Sequence, residues 1–107
     1  MVNPWAGEVA ITLNGVPMVA KLTLGALAEL EAGLAVGSLM ELTERFESGR
    51  ISANDVVIVL VAGLRGGGWQ GTAGDLRQAE IGGGPMVAVR LAAELLARAF
   101  AVPEAEA

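Results

Sequence analysis

The stretch Ile51-Ser52-Ala53-Asn54-Asp55-Val56-Val57-Ile58-Val59-Leu60-Val61-Ala62-Gly63-Leu64-Arg65 admits two readings, and the choice between them decides the fold. From Val56 to Val61 every residue is apolar and all but Leu60 are β-branched, a composition that favours a buried strand. Two features favour a helix. Ser52 and Asp55 have the spacing of a capping box, in which each side chain bonds the other residue's main-chain N–H at a helix start, and the run to Arg65 is too long for an ordinary strand. The penalty for β-branched residues in a helix is only a few tenths of a kcal/mol each. The segment is therefore predicted as a helix over 53–65, and being apolar all round it should be the central helix.

On the N-terminal side, Ser38 with Glu41 starts a predicted helix over 39–48, whose stripe is Leu39, Leu42 and Phe46 and whose stop is Gly49. Before it, Thr23 caps a predicted helix over 24–36, with Leu27, Leu30 and Leu34 as its apolar ridge and Gly37 as its end. Residues 8–22 have period two around Asn14-Gly15, the signature of a hairpin with a type I′ turn. That turn pairs Leu13 with Val16, Ile11 with Met18 and Val9 with Ala20, all on one face. It puts Pro17 at a non-hydrogen-bonded site and makes the outer side of the second strand a sheet edge.

On the C-terminal side, Gly66 to Gly71 form a loop, Thr72 with Asp75 starts a short helix over 73–81, and Gly82-Gly83-Gly84 ends it. Pro85 suits the first position of a last helix over 85–101, with Arg90, Glu94 and Arg98 in a polar stripe; residues 102–107 fray. The expected fold is α+β, a single domain over 1–107 in which an N-terminal antiparallel hairpin packs against four to five helices.

Composition narrows the function. The chain has 107 residues, 7 basic and 12 acidic side chains, no Cys and no His. Disulfides, thiolate nucleophiles, Cys- or His-ligated metal and a histidine base are excluded, and no catalytic, cofactor-binding or metal-binding residue is expected. A net charge of −5 opposes binding to nucleic acid or an anionic membrane surface. The longest uncharged stretch, Val9 to Ala20, is far short of the roughly 20 residues of a membrane span. Met1-Val2-Asn3-Pro4-Trp5 has neither the basic region nor the apolar core of a signal peptide, so a cytoplasmic location is expected. The glycine runs do not fit a phosphate loop, because the only lysine is Lys21 on the hairpin. Among the carboxylates, only Glu31 has a helix position that suggests partial burial.

Leftover hydrophobicity marks the candidate partner surface. Ala92, Leu96 and Ala99 centre the core face of the last helix, with Ala88, Val89 and Leu95 beside them. Val87 and Leu91 lie elsewhere, flanking Arg90 and Glu94, and are expected to pack against another chain. The competing expectation is that the glycine-rich loop or the N-terminal segment covers them. Trp5 and Trp69, outside the predicted elements, either lid the core or anchor a partner.

Asn3-Pro4 with Gly7-Glu8-Val9, the segment Leu22-Thr23-Leu24-Gly25-Ala26-Leu27-Ala28-Glu29-Leu30-Glu31, Glu44-Arg45-Phe46 with Gly49, Ile51-Ser52 and Asp55-Val56, and Ala62-Gly63-Leu64-Arg65-Gly66-Gly67-Gly68 also carry a family likeness. Together they resemble the gene transfer agent family of small phage-type tail proteins, from Asn3 to about Phe100. The resemblance implies a non-enzymatic tail assembly chaperone of a gene transfer agent or prophage, whose partners are the tape-measure and tail-tube proteins. The strip on the last helix adds a second copy of the chain as a partner. The alternative expectation is a small regulatory protein binding nucleic acid or protein.

Overall fold

The computed structural model describes residues 7–34 and 38–100. In chain order its elements are β1 (Val9–Leu13), β2 (Val16–Ala20), α1 (Leu24–Ala32), α2 (Leu39–Ser48), α3 (Ala53–Gly66), α4 (Ala73–Arg77) and α5 (Gly84–Ala99). This is the expected α+β arrangement.

The β-branched run is helical. The Asp55 N–H donates to Ser52 Oγ and the Ser52 N–H to Asp55 Oδ2, each at 3.0 Å, so both halves of the capping box form. Burial explains why propensity loses. Val56, Val59, Leu60 and Leu64 are all buried on α3. At about 1.5–3 kcal/mol each, they outweigh the β-branching penalty severalfold. α3 is central as expected, packing on α1, α5, β2 and α4.

β1 and β2 pair in the expected register, Val9 with Ala20 through Leu13 with Val16. Asn14 at φ 52° and Gly15 at φ 80° have the two positive angles of a type I′ turn. Val9, Ile11, Leu13 and Ala20 enter the core, but Val16, on the same face at the hairpin tip, is 52% exposed.

The outer side of β2 is a sheet edge, as expected, and the end of α3 lies against its last residues. The Lys21 N–H donates to the Gly63 carbonyl at 2.8 Å. Gly66 and Gly67 lie so close to the strand that a Cβ on either would overlap the carbonyl oxygen of Lys21 or Val19. Glycine alone lets a helix end meet a strand backbone to backbone. The outer side of β1 is met at its hairpin end: Leu13 bridges Ile81, and the Gly82 N–H donates to the Thr12 carbonyl at 2.9 Å.

That second contact shortens α4, which ends at Arg77 and not at 81. The Asn14 N–H donates to the Glu80 carbonyl at 2.8 Å, and the Glu80 N–H donates to Asn14 Oδ1 at 2.9 Å. These bonds draw residues 80–82 to the hairpin, and they replace the last helical turn. α1 also stops early, at Ala32, because Gly33 takes the cap. Glycine is the weakest continuing residue short of proline. The expected stop at Gly37 lies outside the described residues. α5 is described as 84–99 against the expected 85–101, with Phe100 as its cap and 101 outside the described residues. Ser38 accepts from the Glu41 N–H at 3.4 Å without the reciprocal bond, so it is a cap but only half a box. Glu31 is exposed, not partly buried.

Candidate functional site

Drawing residues 80–82 to the hairpin tip has a consequence for α3. α4 is left with five residues, which with α5 bury Val56 and Leu60 but leave Val57 half-buried, and the glycine connection carries the chain to α5 beyond it. Between α3, α4 and the start of α5 lies an open groove of about 1010 Å³. Val56, Val57 and Leu60 line it from α3, Leu76, Ala79 and Ile81 from α4 and the connection, and Ala88 and Val89 from α5. Its charged lining residues are Arg77 and Glu80, both exposed. Arg77 Nη2 donates to Asn54 Oδ1 at 2.8 Å, which braces α4 against the first turn of α3.

The walls differ in firmness. α3 is anchored by the carboxylate of Asp55, which also accepts from Arg45 Nε at 3.2 Å and Nη2 at 3.1 Å, tying α2 to the start of α3. Burial alone pushes the Asp55 carboxyl up, but hydrogen bonds from Arg45 and Ser52, with the guanidinium charge, outweigh it and hold the group below the usual carboxylate range. Sequence reading assigned Asp55 its capping role and missed Arg45, since ten residues of separation leave no local signal. The α4 wall has one buried side chain, Leu76, and its connections at both ends are rich in glycine.

A second cleft, of about 640 Å³, lies at the other end of α3. Trp69 lines it with Thr23, Glu29 and Arg65. Here Arg65 Nε pairs with Glu29 Oε1 at 3.1 Å and Arg65 Nη1 donates to the Gly71 carbonyl at 3.2 Å. The two charged groups of this cleft are therefore paired with each other.

The sequence-derived site residues are not gathered at one place. Trp5 lies outside the described residues. Trp69 is half-buried against the core beside the polar cleft. Leu91 is half-buried and packs on the core, and Val87 is half-buried beside Gly83. Neither Val87 nor Leu91 lines the groove or the cleft. The core face of α5 is as expected, with Ala88, Ala92, Leu95 and Leu96 buried. The open apolar surface, however, adjoins its opposite flank at Pro85 and Val89. Sequence periodicity could not find the groove, because its floor, Val56, Leu60, Leu76 and Ala88, is core in the structure and only its half-buried rim, Val57, Ile81 and Val89, sets it apart.

Among the described residues no helix is long and apolar enough to cross a membrane. The sequence model of a family described as phage tail tube protein, GTA-gp10, matches residues 6–102. No curated protein and no solved structure matches the chain.

Proposed function

The chain belongs to the phage tail tube protein family GTA-gp10, and on that premise we propose that it is a non-catalytic tail assembly chaperone. It acts in the cytoplasm, binding the tape-measure protein, the tail-tube protein or both while the tail is built. The observation that carries this reading is the apolar groove between α3, α4 and α5, which is lined by aliphatic side chains and has a half-buried rim at Val57, Ile81 and Val89. A groove of this kind suits the apolar stripe of an amphipathic helix, a common mode of transient recognition. The role needs stoichiometric binding and no reactive group.

The family's description favours a second reading, a subunit of the tube itself. A tube closed by strand addition between subunits needs free sheet edges. Here both strands are edges of a two-stranded sheet, met by residues 80–82 at the hairpin end of β1 and by the end of α3 at the last residues of β2, with Pro17 removing a donor, so strand addition is obstructed in part. A tube subunit of this fold would have to join partly occupied strand edges or assemble through its helices.

Two measurements test the proposal. Co-expression with the tape-measure protein should give a complex that survives purification, and Val89→Glu in the groove should abolish it while the far-UV spectrum is unchanged. Finished tails should lack the chain. Stoichiometric retention of the chain in purified tails would overturn the chaperone role in favour of the tube subunit.

A further inference from the structure

The groove also has the features of a self-complementary surface. Met86, on the first turn of α5, is 76% exposed, and lies about 60° round the helix from Val89, beyond the groove lip. An unbranched, adaptable side chain thus projects beside a hole lined by aliphatic groups. The groove also carries one cation and one anion, Arg77 and Glu80, separated by less than one helical turn of sequence. Neither belongs to an ion pair among the described residues: Arg77 bonds the neutral amide of Asn54, and the bonds described at Glu80 are main-chain ones.

We propose that a second copy of this chain covers the groove in an isologous dimer, with Met86 of each copy inserted into the groove of the other and Arg77 of each facing the other's Glu80. A two-fold axis matches residue i with j and j with i, so a patch holding a knob, a hole and one charge of each sign can satisfy itself. The same arrangement shields the groove while no other partner occupies it. The proposal rests on the groove being a binding face, as in the proposed function. It adds that a tail protein and the second copy compete for one surface.

The experiment is sedimentation equilibrium of the purified chain without any tail protein, up to about 500 μM, a range that covers weak dimers of millimolar to micromolar affinity. The wild type should show a concentration-dependent monomer–dimer equilibrium. Met86→Glu and Arg77→Glu should each weaken it at least about tenfold with the far-UV spectrum unchanged, Met86→Glu with Tm unchanged as well, and Met86→Ala should weaken it less than Met86→Glu. The decisive variant is the double swap Arg77→Glu/Glu80→Arg, which restores both reciprocal pairs and should recover most of the lost affinity. A wild type that stays monomeric overturns the dimer, and so does a double swap as weak as the single one. If Met86→Glu blocks capture of the tape-measure protein but leaves self-association intact, the groove serves another partner alone and the dimer is wrong. A confirmed dimer that captures no tail protein would instead overturn the chaperone role and leave this inference standing.

Discussion

The main-chain N–H of Lys21, at the end of the hairpin, donates to the carbonyl of Gly63, which also accepts from the Gly67 N–H at 3.0 Å. One carbonyl thus serves both the α3 ladder and the adjoining strand. The contact requires the helix and strand backbones to touch, which the glycines at 66 and 67 permit. Gly66→Ala should cost roughly 3 kcal/mol, near the upper end of overpacking effects, because the obstruction is a main-chain carbonyl and not a side chain that can turn away. Gly25→Ala is the control. Its Cβ would meet only Thr23 Oγ1 at 3.9 Å, so it should stabilise by about 0.5 kcal/mol. Denaturant melts of the two variants should move in opposite directions.

The caps of α2 and α3 should differ in strength. Ser52 takes part in a reciprocal box with 3.0 Å bonds, whereas Ser38 makes one exposed bond of 3.4 Å. Ser52→Ala is expected to cost about 1–2 kcal/mol and Ser38→Ala about 0.5 kcal/mol or less. Equal losses in chemical denaturation would show that the reciprocal bond adds nothing.

Asp55 supplies an acid sensitivity. Its carboxyl is held below the unfolded value, so its contribution is fully present above about pH 4 and is lost as the pH falls through the lowered native value. The wild type should therefore lose Tm below about pH 4 more steeply than Asp55→Asn, which starts less stable and lacks this titration. Parallel Tm profiles would contradict the assignment.

The hairpin tip should control the α4 wall of the groove. Asn14→Gly keeps the positive φ and the main-chain bond to Glu80 but removes the acceptor for the Glu80 N–H. The variant should lose about 1 kcal/mol. Hydrogen exchange should quicken at Glu80 and Gly82 and stay unchanged in α3. Uniform quickening would mean that the α4 wall does not open on its own.

Legibility of the fold from sequence followed the range of the interactions that determine it. Ser52, Thr72, Thr23 and Gly49 act within one turn, and the starts of α1, α3 and α4 and the stop of α2 were read correctly from them. Asn14-Gly15 likewise determines the register of both strands locally. The errors arose where distant residues intervene. Glu80 is bound by Asn14, 66 positions away, and nothing near Glu80 signals that its helix will end early. The groove depends on that early end, so it was hidden as well. Sequence set Leu91 apart from the core face of α5, yet it is half-buried and packs on the core, and sequence could not show that the groove adjoins Val89.

The bridge between Leu13 and Ile81 sets an order on synthesis. The hairpin leaves the ribosome first, yet the segment that covers the outer edge of β1 is translated more than sixty codons later, and Leu95, packed beside Ala20 and Gly63, later still. Until α5 emerges, the nascent chain presents Val9, Ile11 and Leu13 without the last helix that packs on β1. Ribosome-stalled chains ending before residue 81 should be captured by holdase factors, and chains extended past α5 released from them, because the first strand acquires these neighbours only after α1 to α4 have been made.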